Sequence, residues 1–291
     1  MKGGISLHIV ILHNSSEWTE MQLAKILTER GYSVSLLTPD NKDIYQSDLI
    51  LNRCMPGIAS IDPAFDMLEY STVLNKIEKA GIPLVNGMLA SSADFNKFLS
   101  ASLMEVEMVR TPNTTVCGNA EAALTVANTR YKYPVIKKPS LSGRTVGVKL
   151  IETRDQLAAE TDWRPSHGSM LLQQYVPSVE FEDYRIYICD GELMFGHRRE
   201  LIDNWFGSRG KGSKINSIPN SEIPIDVISE AILATKAIGA WFNACDINMT
   251  KDGPYIIENN TTPNFDRDYI GLYGFNPVEV LVNRIEDKWL S

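Results

Sequence analysis

The chain has 291 residues, too many for one small core and enough for two or three compact domains. It is 44% apolar and 22% charged with no biased tract, the composition of an ordinary soluble globular protein. The net charge of −8 argues against nucleic acid as the main partner, because a phosphate backbone selects a basic surface. The apolar run Ile9–Leu12, with Ile5 and Leu7 before it, is broken by His8 and His13. It reads as a strand, too short for a signal peptide or membrane span. Four scattered cysteines form no CxxC pair, so neither a disulfide framework nor a metal cage is expected, consistent with a reducing cytoplasm.

Strands and helices alternate over residues 1–88. "ISLHIVIL" is a strand, Ser15 or Ser16 caps a helix through "EWTEMQLAKILTERG", and "YSVSLLT" and "SDLILNR" are strands. "FDMLEYSTVLNKIEKAG" is an amphipathic helix and "IPLVN" a further strand, which together imply a parallel, doubly wound sheet. The first turn, "LHNSSEW", lacks GxGxxG, so dinucleotide binding is not expected. A second unit, 89–168, opens with a helix from Ser92 or Asp94 to about Val109. After it come "NTTVCG", a helix from Asn119, "YPVIKKPSLSGRTVGVKLI" and a helix from about Thr153. A third unit, 169–291, begins with "MLLQQYV" and continues as longer strands, with a hairpin turning at Asp190-Gly191. A polar loop, "LIDNWFGSRGKGSKINS", then leads to a helix from about Ile225 to Trp241 and a last hairpin turning at Asp252-Gly253.

That hairpin carries the clearest chemical signal. Glu258 and Asn260 share a face by the period of two, and the turn places Asp246 roughly opposite Glu258. Three oxygen donors on one face suit a hard cation such as Mg²⁺ (or Mn²⁺), and three polar residues facing into an apolar hairpin are costly unless something coordinates them. Upstream, "YPVIKKP" ends a strand in Lys137 and Lys138, one on each face. One of the two can reach a phosphate while the other is solvated. The loop that follows, with Ser142 and Gly143, suits backbone contacts to phosphates. "GSRGKGSK" lacks Walker A spacing. Cys245 points away from Asp246 and reads as core, and none of the four histidines has metal-ligand spacing. For His197 a structural role outweighs acid/base work.

Taken in order, "NKF", "PVIKKPSLSGRTVGV", "LLQQYV", "FEDYRIYI", "HRRE", "SRGKGS", "ACDIN" and "IIENNTTPNF" resemble the ATP-grasp ligases, in the branch of RimK-type and LysX-type enzymes. The resemblance implies an α/β fold: a Rossmann-like first domain (1–88), a central lid subdomain (89–168) and a C-terminal ATP-grasp subdomain (169–291), α+β in the ATP-grasp part. It implies that Lys97 and Lys138 bind ATP phosphates under the loop with Ser142 and Gly143. Gln174, Tyr175 and Val176 would meet adenine, and Asp183 the ribose. Arg185, Arg199 and Arg209 would face the phosphoryl group or substrate carboxylate, and Asp246, Glu258 and Asn260 would hold Mg²⁺. By the register of the resemblance, Lys138 is the phosphate lysine and Lys137 the solvated one.

The sequence departs from the family pattern in two places. Gln174 stands where the family has Glu, and either Asn204 or Ser208 takes the place of an Asn before Arg209-Gly210. The implied reaction is ATP- and Mg²⁺-dependent ligation of a carboxylate to an amine through an acyl phosphate, releasing ADP and phosphate in the cytoplasm. The substrates would be small molecules, such as an amino acid and an amine, with a peptide or carrier protein as another acceptor; a homo-oligomer is compatible with this. A phosphotransferase and a non-catalytic ATP-binding protein are the alternatives.

Overall fold

A computed structural model describes residues 6–15, 17–55, 63–141, 147–163, 169–203, 205–207 and 212–290. Ser142, Gly143, Asn204, Ser208 and Arg209 lie outside the described residues. In the first unit β1 (His8–Leu12), β2 (Ser33–Leu37), β3 (Leu49–Asn52) and β4 (Leu84–Val85) form a parallel sheet in the order β2-β1-β3-β4. Helices α1 (Trp18–Glu29) and α2 (Pro63–Lys79) cover it, which is why β1 and β3 read as unbroken apolar runs. Ser15 does not cap α1, and Ser16, the other expected cap, lies outside the described residues. The N-cap of α1 is Glu17, whose backbone N–H donates to the Glu20 carboxylate at 3.0 Å.

The single helix expected from residue 92 or 94 to 109 is two: α3 (Met88–Phe95) and α4 (Lys97–Val106). Asn96 between them is extended and caps α4, its side-chain oxygen accepting from the N–H groups of Phe98 and Leu99 at 3.1 Å each. Lys97 therefore occupies the first turn of a new helix. Next come β5 (Thr114–Cys117), α5 (Ala120–Thr129), β6 (Val135–Pro139), β7 (Lys149–Ile151), α6 (Arg154–Ala159) and β8 (Met170–Gln174). Their antiparallel sheet runs β5-β8-β6-β7, so β8 joins the central sheet although a boundary at 169 assigns it to the third unit. Conversely, Met104 of α4 and Val109 after it pack in the core of the third unit. Tertiary pairing redraws both edges.

The third unit is an antiparallel sheet of β9 (Glu182–Cys189), β10 (Glu192–Glu200), β11 (Ile215–Ile218), β12 (Phe242–Thr250) and β13 (Gly253–Asn260), in the order β11-β10-β9-β12-β13. β11 lies inside the stretch expected to be loop. Asp190 (φ 51°) and Gly191 (φ 77°) are both left-handed, as the expected tight hairpin requires. Helix α7 (Ile225–Ala237) covers one face of this sheet and ends before Trp241. Two further helices, α8 (Asp268–Tyr273) and α9 (Pro277–Ile285), return the chain to the first unit. Leu281 and Ile285 share one core with Ile9, Ile11, Leu23, Tyr187 and Phe265.

Asn86 seals this junction. It is 2% exposed, and its Nδ2 donates to the carbonyls of Phe242 (2.7 Å) and Thr261 (2.8 Å). Its Oδ1 accepts from the N–H groups of Trp241 (2.8 Å) and Phe242 (3.0 Å).

The expectation that Lys137 is solvated is wrong. Lys137 does face away from Lys138, but onto α6, where it is 1% exposed, 2.6 Å from the Glu160 carboxylate and over the Trp163 ring. Helix α6 and Trp163 cover that face of β6, a tertiary contact that strand alternation does not reveal.

Two variants test this architecture by thermal and denaturant unfolding. Asn86→Ala leaves several buried backbone groups unpaired and is expected to destabilise the chain by roughly 3 kcal/mol. Lys137→Ala breaks a buried ion pair and is expected to cost about 3 kcal/mol, near the lower end for such pairs because Glu160 keeps Lys149 at 2.8 Å. A change under about 0.5 kcal/mol in either variant, as at an open surface position, would contradict the assignment.

Candidate active site

Strand register builds the site. Two successive rungs cross the sheet of the third unit. In the first, Asp183 on β9 lies opposite Arg199 on β10 and Asn248 on β12. In the second, Arg185 lies opposite His197 on one side and Asp246 on the other, and Asp246 in turn lies opposite Glu258 on β13. Period-two alternation sends all these side chains to the face away from α7. A bulge after Asp246 shifts the β12–β13 register, so Ile257 is the unmatched residue and Glu258 stays abreast of Asp246. One rung further, Ala244 faces Asn260.

The charges on this face neutralise one another. Arg199 binds Asp183 through two hydrogen bonds, 2.7 and 2.6 Å, and also reaches Asp246 at 3.1 Å. Arg185 donates to Asp246 at 2.9 and 3.2 Å. Fork-to-carboxylate geometry of this kind offsets part of the desolvation cost of burying four charges. Gly207 packs directly on Asp183; a Cβ there would overlap its carboxylate.

Opposite the rungs stand the lysines. Lys97 Nζ lies 3.2 Å from the Glu258 carboxylate, and Lys138 faces the same space. Burial, and then the charge of Lys97, push Lys138 down to about 8, with Glu258 opposing. Burial alone would raise Glu258, but Lys97 and then Lys138 hold it below the usual carboxylate range.

A cleft between the central sheet and the third unit brings together Lys97, Lys138, Gln174, Tyr175, Val176, Asp183, Arg199, Asp246 and Glu258. Ile136, Val148 and Ile257 give it apolar walls. Arg185 stands beside it through its bond to Asp246, and Asn260 lies one rung beyond. Residues 174–176 are held through their backbone: the Gln174 N–H donates to Asn113 O at 2.9 Å, and Asn248 Nδ2 donates to Val176 O at 3.0 Å. The Gln174 side-chain oxygen accepts from Asn113 Nδ2 at 2.9 Å, a role that a Glu oxygen fills equally well. Trp205 and Phe206 also line the cleft. No local pattern signals this, because they sit in a stretch that reads as polar loop.

The donor chemistry at the strand end fits a hard divalent cation. Two carboxylates stand abreast at the cleft, and Asn260 turns its Nδ2 to Ala244 O (3.3 Å), so its side-chain oxygen is the atom that could meet a cation. Among the described residues no group of three or more His, Cys, Asp or Glu side chains forms an alternative metal site. His197 is fully buried, bonded to the Tyr273 hydroxyl and packed among Tyr187, Tyr269 and Tyr273. Cys245 is core, and burial raises its thiol to about 12.

Known proteins resemble this chain in sequence and fold. The model of the RimK-like ATP-grasp domain matches residues 94–272. The coenzyme gamma-F420-2:alpha-L-glutamate ligase of Methanococcus maripaludis is 26% identical over 285 residues, covering 91% of this chain and 92% of the relative. The tetrahydromethanopterin:alpha-L-glutamate ligase of the same organism is 27% identical over 230 residues, 77% of this chain and 72% of the relative. In fold, the RimK domain ATP-grasp protein of Sphaerobacter thermophilus aligns with a TM-score of 0.68 at 18% identity, over 98% of this chain and 100% of that one. No helix among the described residues is long and apolar enough to cross a membrane. The family match spans more than half of the sequence and contains the whole cleft, so the chain belongs to the RimK-like ATP-grasp family and is an ATP-dependent C–N ligase.

Proposed function

We propose that this ligase activates a substrate carboxylate as an acyl phosphate and passes the acyl group to the amino group of an amino acid. The observation that supports it best is the meeting of Lys97 and Lys138 with the Asp246–Glu258 pair and two buried arginines in one cleft.

A carboxylate resists amine attack because its oxygen is a poor leaving group. A carboxylate oxygen of the substrate attacks the γ-phosphorus of ATP and ADP leaves, giving the acyl phosphate. The amine then attacks the acyl carbon, phosphate departs, and the amine loses a proton to give the amide. Lys97 and Lys138 hold the phosphates, and the apolar walls with Tyr175 and Val176 take the adenine. Arg185 and Arg199, fixed by Asp246 and Asp183, neutralise the phosphoryl oxygens and the tetrahedral oxyanion. Arg209, Ser142 and Gly143 complete the phosphate contacts in this reading. Asp183, engaged by Arg199, reaches the ribose only through its remaining lone pairs. Asp246, Glu258 and Asn260 would hold Mg²⁺, which when bound neutralises charge on the phosphates. Glutamate is the first amine to test, because two relatives are named as α-L-glutamate ligases.

Hydroxylamine offered in place of the amine is expected to yield a hydroxamate and ADP only when ATP and a carboxylate substrate are both present. A stable phosphorylated product formed with no amine at all would overturn ligation in favour of phosphotransfer. Lys138 supplies a second test. Its ammonium must be charged to hold phosphate, and the free enzyme loses that proton as pH rises through about 8. Hence kcat/KM for ATP should fall above that pH, and Lys138→Arg should remove that limb because guanidinium stays charged. Lys138→Ala should lower kcat/KM on the order of 10²-fold. An unchanged pH profile in Lys138→Arg would exclude Lys138 as the titrating group.

A further inference from the structure

The strand end that presents Glu258 and Asn260 is held from behind by residues of α3 and α4. Asn259 and Thr261 alternate with the two donors and are 2% and 1% exposed. Asn259 donates to Ser100 Oγ at 3.2 Å and accepts from Asn243 Nδ2 at 2.8 Å. Thr261, just past the last ladder pair, has each of its polar groups engaged. Its N–H and hydroxyl both donate to Asp94 Oδ2, at 2.6 and 2.9 Å, and its carbonyl accepts from Asn86. Asp94 lies three residues before Lys97, whose ammonium pairs with Glu258.

We propose that Asp94 is a positioning residue for the metal-donor strand end: by binding Thr261 at two atoms it fixes the direction of Asn260 and Glu258. This rests on the reading of Asp246, Glu258 and Asn260 as the metal donors. A strand terminus beyond its last cross-strand pair frays unless its backbone finds other partners. The carboxylate supplies one, through charge-assisted bonds that are shorter and stronger than neutral ones. It also links the lysine to the donors. The turn that starts α4, and so aims Lys97, is tied through Asp94 to the residue after Asn260. Lysine and donors are thereby kept in mutual register.

The test is Mn²⁺ binding in the presence of ADP, followed by electron paramagnetic resonance, beside ADP affinity measured in EDTA. Asp94→Ala and Thr261→Val are expected to weaken Mn²⁺ binding by about ten-fold or more, as loss of a partner behind a ligand does, with metal-free ADP affinity within about two-fold of wild type. Thr261→Ser, which keeps the hydroxyl, is expected to restore it. Thr261→Val retains the backbone bond to Asp94 and decides the matter if Asp94→Ala does not fold. Unchanged Mn²⁺ affinity in Thr261→Val, or a parallel fall in metal-free ADP affinity, would overturn the proposal. Wild-type protein with ADP that fails to bind Mn²⁺ would instead overturn the donor assignment on which it rests.

Discussion

Asp246 is the residue on which the cleft turns. It accepts from Arg185 and Arg199 and stands abreast of Glu258, so one carboxylate links the arginine side of the sheet to the lysine side. Removing it would leave two guanidinium groups buried with only Asp183 between them, a far worse state than the intact network. Under the proposed function the same carboxylate would also meet a cation, whose contact would compete with the arginines for the same lone pairs, so the face would have charge to rearrange when nucleotide enters. A neutral apolar face would hold its shape as well but could not exchange partners in this way.

Mutual dependence of the three units follows from their packing. Ile9 and Ile11 of the first sheet share a core with Phe265 and Leu281, more than 250 residues away. Asn86 adds four hydrogen bonds across the same junction. The first unit is therefore a wall of the site's support, fixed to the loop that follows Asn260. The central sheet touches this body less extensively, through β5 on α4 and through Val176, whose carbonyl accepts from Asn248 Nδ2.

The two Methanococcus maripaludis relatives are named as α-L-glutamate ligases toward different partners, while the RimK-like ATP-grasp match in this chain spans the residues that line the cleft. Phosphoryl chemistry constrains the lysines, arginines and oxygen donors. The acceptor constrains other surfaces, and these are free to vary on one fold.

Much of this protein was written into local sequence. Alternating strands and helices announced the first sheet, because an apolar strand buried on both faces has a recognisable pattern. Asp190-Gly191 and Asp252-Gly253 announced the hairpins, and hairpin geometry put Asp246 roughly opposite Glu258, though only the bulge after Asp246 brings the two abreast. The period of two also separated Lys137 from Lys138. What covers a face is not local information. Only the packing of α6 and Trp163 on β6 made Lys137 a buried ion-pair partner, and only sheet order gave β8 to the central unit. Asn96 broke one expected helix in two because capping α4 there aims Lys97 at Glu258. Asn86 and Asp94 looked like a strand end and a helix starter, since their partners lie 155 to 175 residues along the chain. Short-range patterns determine which elements form and which way their side chains alternate. Long-range contacts decide which of those side chains meet, because hydrogen bonds and ion pairs depend on distance in space and take no account of distance in sequence.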